Sequence, residues 1–427
     1  MASALLLRQV NLLLGPGEPP TRGDAWLEGR QLISWDTGSS PSPEGQWREL
    51  DARRWWLAPP LVDVHSVLED PWLGRAETLE SLSRAAAIGG YGTIALLPWG
   101  QPWRDRPERL LLAREDPSRL VLWGSFSADG SDHDLALHAE QIAAGALGLA
   151  ASDQVPPLAL LERGLRLGEM GDRPVLVAPR DPSLTQGGFV RERVEALRAG
   201  WPTDPVLSET LPLQTLLALR AAHPSVRLRL MNLSTMEGVA LLRAHPDPPL
   251  TSVGWWHLVA DAGGLHPAEE GWRVVPSLGG PEDREALIEA LREGLLSAVA
   301  VHHQPLDAEE RLLPLDQRKA GISGHGLALT MLWRELVGRR GWSAQDLWRV
   351  MCWGPSRYLG LPEERLSAPS QRWVLWDPHQ PWPGAAQERG SIAANVPTLP
   401  TAGLTGRVMA SGLLAEECWP LEVIPRC

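Results

Sequence analysis

The chain of 427 residues has few thiols, almost no lysine and few aromatic rings other than indole. Its three cysteines, Cys352, Cys418 and Cys427, show no CxxC spacing, which excludes a thiolate zinc site and a vicinal redox pair. So little thiol fits a reducing compartment, and a cytoplasmic location is expected. The single lysine, Lys319, stands against 39 arginines, so any chemistry that needs a lysine must find it there. A bilayer-spanning run is missing too. The apolar opening MASALLLRQVNLLLG is broken by Arg8, Gln9 and Asn11 and has no small-residue cleavage pattern, so it reads as a strand, with no membrane role. Positive charge is not in excess: 40 basic and 52 acidic residues leave a net charge of −12, and no nucleic-acid partner is expected. No GxSxG, Walker or GxGxxG pattern occurs, and the glycine-rich stretch from Gly321 to Gly326 lacks phosphate-loop spacing.

What is present is a soluble composition, 44% hydrophobic and 22% charged, at a length that suits one large barrel with an appendage. The first 57 residues alternate and turn, as short antiparallel strands do. From Pro59 the texture changes. Short apolar runs, LVDVHSVL, GTIALLPW, LVLWGSF, GALGLAA, PVLVAP, VRLRLMNLS, LTSVGWW and SAVAVHH, alternate with amphipathic segments such as ETLESLSRAAAIGG and PEDREALIEALREG. Eight such strands are what a closed parallel barrel needs, so the expected fold is α/β, a (β/α)8 TIM-type barrel. Two more helices follow, near LALTMLWRELVGRRG and SAQDLWRVMC, and strand texture returns with RWVLWDP and GRVMASGLLAEE. Residues 1–58 and 368–427 are therefore expected to build one small β domain from both chain ends, beside a barrel over 59–367. The Pro/Ser/Gly stretches at 38–45 and 379–391 read as loops.

In such a barrel the chemistry sits at the C-terminal strand tips. The first tip reads Asp63, Val64, His65, Ser66, Val67, Leu68, Glu69, Asp70, Pro71. It resembles the first strand of the dihydroorotases, in the amidohydrolase superfamily, which runs Asp-x-His-x-His-x-Arg-Glu-Pro-Gly. The likeness continues in order along the chain: the helix and turn from Glu80 to Thr93, Asn232-Leu233-Ser234-Thr235, His302-His303-Gln304-Pro305, Gly321-Ile322-Ser323-Gly324, then Asn395-Val396-Pro397 and Gly406-Arg407-Val408.

The resemblance also marks departures. The family holds its metal with two histidines on strand one, a carboxylate or carboxylated lysine on strand four, histidines on strands five and six, and an aspartate on strand eight. This chain keeps His65 but carries Val67, Ala178, Asn232 and His302 at four of those positions. Lys319 follows the strand-eight match, so it cannot be the carboxylated lysine, and Asp153 lies near the family's alternative aspartate. Glu69 replaces the arginine that grips the substrate carboxylate, and Trp99 replaces an asparagine.

Each surviving group carries two readings. His65 and the His302-His303 pair are metal candidates, yet a histidine in a buried strand is more often a hydrogen-bonded core residue, and neighbouring strand residues face opposite ways. His257 is expected to pack, Glu209 to cap its own helix, and Asp63 to orient its neighbours. Asp153 is the catalytic candidate, against a solvated loop carboxylate. Ser66, Ser234 and Thr235 lack the His/Asp context of a nucleophile. The leading expectation is a non-catalytic dihydroorotase-like protein without a cofactor. By the resemblance, its partner is aspartate carbamoyltransferase in pyrimidine synthesis; a homo-oligomer is also compatible. The alternatives are a cyclic amidohydrolase with one zinc on His65, His302 or His303 and Asp153, or a sensor of a small molecule.

Overall fold

The computed structural model describes residues 4–38, 47–112, 118–264, 271, 273–382, 390–397 and 403–414. Cys418 and Cys427 lie outside them. The eight apolar runs each form a strand of one barrel: Leu61–Ser66, Tyr91–Leu96, Arg119–Leu122 continued by Gly124–Ser125, Leu149–Ala150, Val175–Val177, Leu228–Leu230, Leu250–Gly254 and Ala298–Ala300. Each strand pairs in parallel with the next. Side chains alternate between two apolar clusters, as the period of two demands. Val62, Val64, Ala95, Leu97, Leu176, Ala178, Ala298 and Ala300 fill the inner one. Leu61, Ile94, Leu96, Val175, Val177, Leu228, Leu230 and Val299 meet the surrounding helices in the outer one.

The seam between the last strand and the first is joined by side chains as well as backbone. Val67 N donates to His303 O at 2.8 Å. Val301 N donates to Asp63 Oδ1 and His303 N to Ser66 Oγ, both at 2.9 Å. Asp63 Oδ2 also accepts from Ser66 Oγ at 2.5 Å and from His325 Nε2 at 3.0 Å. Burial would push this carboxyl up, but the hydrogen bond from His325, with Ser66 behind it, outweighs that and holds it below the usual carboxylate range. The His325 imidazole is itself pushed down by burial, so it is neutral and donates through Nε2. Asp63 orients its neighbours, as its position at the strand tip implies.

Helix Leu79–Ile88 opens on a Thr78/Ser81 capping box and ends at Gly89, where a Cβ would collide with the carbonyl oxygen of His325. The segment from His325 is α-helical to Leu332 and then π-helical over Trp333–Arg339, where the apolar period predicts one continuous helix. No helix among the described residues is long and apolar enough to cross a membrane.

Both chain ends contribute to one seven-stranded sheet. Strand Ala4–Leu12 pairs antiparallel with Thr21–Glu28, which pairs antiparallel with Gln31–Asp36. Trp47–Asp51 and Trp56–Ala58, however, run parallel to the first strand. This corrects the all-antiparallel reading. The hairpin takes up one edge of the first strand, so the returning chain occupies the other edge in the same direction. Val374–Pro381 and Thr405–Ser411 complete the sheet beyond Trp56–Ala58. The strand thus continues into the stretch read as a loop from 379.

Asp63→Ala should leave the Val301 N–H, the Ser66 hydroxyl and the His325 N–H without their acceptor, at about 1–3 kcal/mol for each buried donor. Urea unfolding should therefore show a loss of at least about 3 kcal/mol. A loss below about 1 kcal/mol, within the range of an ordinary substitution, would contradict the seam's role.

Candidate active-site cleft

His65 sits on the first strand and His302 just past the eighth, at a φ of +47°. Their Nδ1 atoms are 2.9 Å apart and the two rings meet edge to face. Such a contact needs a proton on one nitrogen and a lone pair on the other, which two neutral imidazoles supply. On its far side, His65 Nε2 lies 2.9 Å from Ser252 Oγ, which also accepts from Asn232 N at 3.0 Å. Burial pushes His65 down to about 4. His302 is driven well below the ordinary imidazole value by burial and then by His65.

His302 faces a narrow cleft with about 330 Å³ of empty space, part of it open solvent, shared with Trp99, Asp153, Arg180, Arg191 and Glu209. Trp99 presents its ring edge to face against His302, with centroids 6.0 Å apart. Asp153 is 47% exposed and held by Arg180 Nη1 at 2.9 Å. The cleft therefore brings Asp153 and His302 to one space, while His65 lies behind it.

His303 turns elsewhere. Its Nδ1 lies 3.1 Å from Ser323 Oγ, and its Nε2 is 3.2 Å from Glu77 Oε2 but outside hydrogen-bond geometry. Burial would raise the Glu77 carboxyl, yet His303, Ser391 and Ser81 together hold it down. Ser66 serves Asp63 and the seam. Ser234 and Thr235 are claimed by Glu209, and His257 Nε2 is 3.0 Å from Pro276 O. Lys319 Nζ lies 2.7 Å from Glu310 and 3.8 Å from Glu69, away from the cleft lining.

Glu209 does not cap its own helix, Leu207–Ala222, where Val206 holds the N-cap position. Its carboxylate accepts from Ser234 N at 2.9 Å and Thr235 N at 3.0 Å, fixing the sixth strand tip, and lies 3.5 Å from Arg191 Nη2. Burial pushes its carboxyl up while Arg191 pulls it down. Arg191 also reaches Asp204 at 3.2 Å and Ser234 Oγ at 2.8 Å. Nothing in the sequence marks Arg191 or Asp204, which lie on the two-residue strands Val190–Arg191 and Thr203–Asp204. Arg104 is equally unmarked. Buried without a carboxylate partner among the described residues, it donates to Leu68 O at 3.0 Å and Leu97 O at 2.6 Å, tying two strand tips together. Burial lowers its guanidinium to about 10.

The sequence is similar to proteins of known kind. A probable dihydroorotase-like protein of Synechocystis sp. is 30% identical over 91% of this chain and 95% of its own length. The chain belongs to the dihydroorotase family of the amidohydrolase superfamily. A dihydroorotase-like protein of Pseudomonas aeruginosa is also 30% identical, over 83% of this chain and 86% of the relative. A dihydroorotase of Thermus aquaticus is 29% identical over 88% and 90%. No family model matches the chain. Among solved structures, L-hydantoinase (dihydropyrimidinase) from Arthrobacter aurescens superposes with a TM-score of 0.74 over 96% of this chain and 94% of its own, at 19% identity. That last likeness is one of fold.

The dihydroorotase resemblance implies a zinc site here, and the residues present do not fit one. A catalytic zinc takes about three protein ligands. Both nitrogens of His65 are engaged by protein, and Val67 and Ala178 belong to the inner apolar cluster. Asn232 offers a buried Oδ1 without a partner, and Asp153 is bound to Arg180. Among the described residues no group of three or more His, Cys, Asp or Glu side chains could hold a metal ion.

A histidine lowered from 6.5 to about 4 on folding takes up its proton more readily when unfolded. Its contribution to stability is complete above pH 6.5 and is lost as pH falls toward 4. His65 should therefore cost roughly 2 kcal/mol between pH 6.5 and 5. Urea midpoints of the wild type should fall across that range more steeply than those of His65→Gln; parallel slopes would contradict the assignment.

Proposed function

We propose that this member of the dihydroorotase family is a non-catalytic scaffold in pyrimidine synthesis, holding an aspartate carbamoyltransferase in a larger assembly. The observation that carries the non-catalytic part is the direct His65–His302 hydrogen bond, with N···N at 2.9 Å. An activated water needs a metal ion or a general base aimed at it. Here the retained strand-one histidine is saturated by His302 and Ser252, and the neighbouring ligand positions are apolar. Burial keeps both histidines neutral, so the pair is stable without a counter-charge. The partner rests on the family resemblance: a barrel that keeps its packing and closure while its ligand positions turn apolar retains what a scaffold uses.

Purified protein should contain well under one zinc per chain by elemental analysis and should neither open nor close the dihydroorotate ring above background. Co-expression with an aspartate carbamoyltransferase should give a complex that survives gel filtration. About one tightly held zinc per chain with metal-dependent turnover would replace this reading with the remodelled site on His65, His302 and Asp153. Two separately eluting proteins would remove the scaffold role.

A further inference from the structure

Between the small sheet and the π-helical turn Trp333–Arg339 lies an open cleft with about 1340 Å³ of empty space, part of it solvent. It shares no described residue with the strand-tip cleft. Arg22, Arg53, Arg54, Arg334, Arg339 and His379 line it, and no Asp or Glu does so among the described residues. In a chain of net charge −12, five guanidinium groups around one concavity are a concentration of charge against the overall sign.

Their compensation is partial, for two of the five have a carboxylate partner. Arg53 is held by both oxygens of the exposed Asp51, and Arg339 meets the buried Glu335 at 2.9 Å, a carboxylate that it shares with Arg340. Arg22 donates to the neutral Asn11 Oδ1 at 3.1 Å. Among the described residues neither Arg54 nor Arg334 has a carboxylate partner, and Arg334 Nε is buried with no acceptor. Mutual repulsion of these groups and the unmet donor are costs that a bound anion would relieve. The indoles of Trp56 and Trp333 supply a wall, with centroids 6.2 Å apart. The π-helical turn that delivers Trp333, Arg334 and Arg339 is a geometry frequent at functional sites.

We propose that this cleft binds a polyphosphate of nucleotide size. Guanidinium forks match phosphate oxygens bidentately, so Arg22, Arg54 and Arg334 hold the phosphoryl groups, while the ring system lies against Trp56 and Trp333. Phosphate recognition here needs no glycine loop. The ligand joins strands of the small sheet to a barrel helix, so binding stabilises their contact.

The test is isothermal titration of the full-length protein with ATP at low salt, with adenosine and an acidic hexapeptide as comparisons. ATP should bind saturably, more weakly as salt rises, while adenosine gives no heat. Arg54→Ser, at an exposed position, should weaken ATP about tenfold, the loss of one charge-assisted hydrogen bond, and Arg334→Gln by a similar factor. The proposal is overturned if ATP does not bind at millimolar concentration, if both variants bind it as tightly as the wild type, or if the peptide binds equally well.

Discussion

The barrel depends on how its eighth strand is fastened to its first, and one carboxylate does most of that fastening. Asp63 accepts from Val301 N, Ser66 Oγ and His325 Nε2, and Ser66 in turn accepts from His303 N. A closed parallel sheet needs its terminal strands in register, and backbone pairing at this seam is sparse. The side-chain bonds supply the register instead. They also bring His65 and His302, 237 residues apart in sequence, to hydrogen-bond distance. The strand-tip chemistry of this chain thus follows from the seam.

The histidine pair illustrates how a buried polar site survives the loss of its charged partners. An imidazole in an apolar barrel must either carry a charge that is paired or stay neutral with its nitrogens bonded. With Val67 and Ala178 filling the inner cluster, the described residues offer no donor set to support a cation, and the second course is taken. Ser252 completes it by bonding His65 and accepting from Asn232 N. The tips keep side-chain bonds of their own even so. Arg104 and the cleft-lining Arg191–Glu209 pair brace them with bonds to backbone and hydroxyl groups.

Much of this was legible in the residues. Each apolar run became a barrel strand, because burial on both faces leaves an unbroken hydrophobic signature. His302 and His303 face different ways, but past the end of the strand, where the left-handed backbone of His302 rather than strand alternation sets their directions. What was hidden depends on contacts far apart in sequence. Arg191 is one arginine among 39, and only the fold sets it against Glu209 and Asp204. Glu209 looked like a helix cap because its position permits one; Ser234 and Thr235, 25 and 26 residues away, compete for its oxygens and win. The parallel returns of Trp47–Asp51 and Trp56–Ala58 were misread because alternation reports which face a residue takes and says nothing of chain direction.

The small sheet sets an order on how the molecule can be made. Trp55 Nε1 bonds Asp377 Oδ2 across 322 residues, and Trp56–Ala58 finds its outer neighbour only in Val374–Pro381. During synthesis that edge waits, without this neighbour, until the whole barrel has left the ribosome, and an open edge is a template for other chains. Early translation products of this protein would therefore be the species most in need of a chaperone.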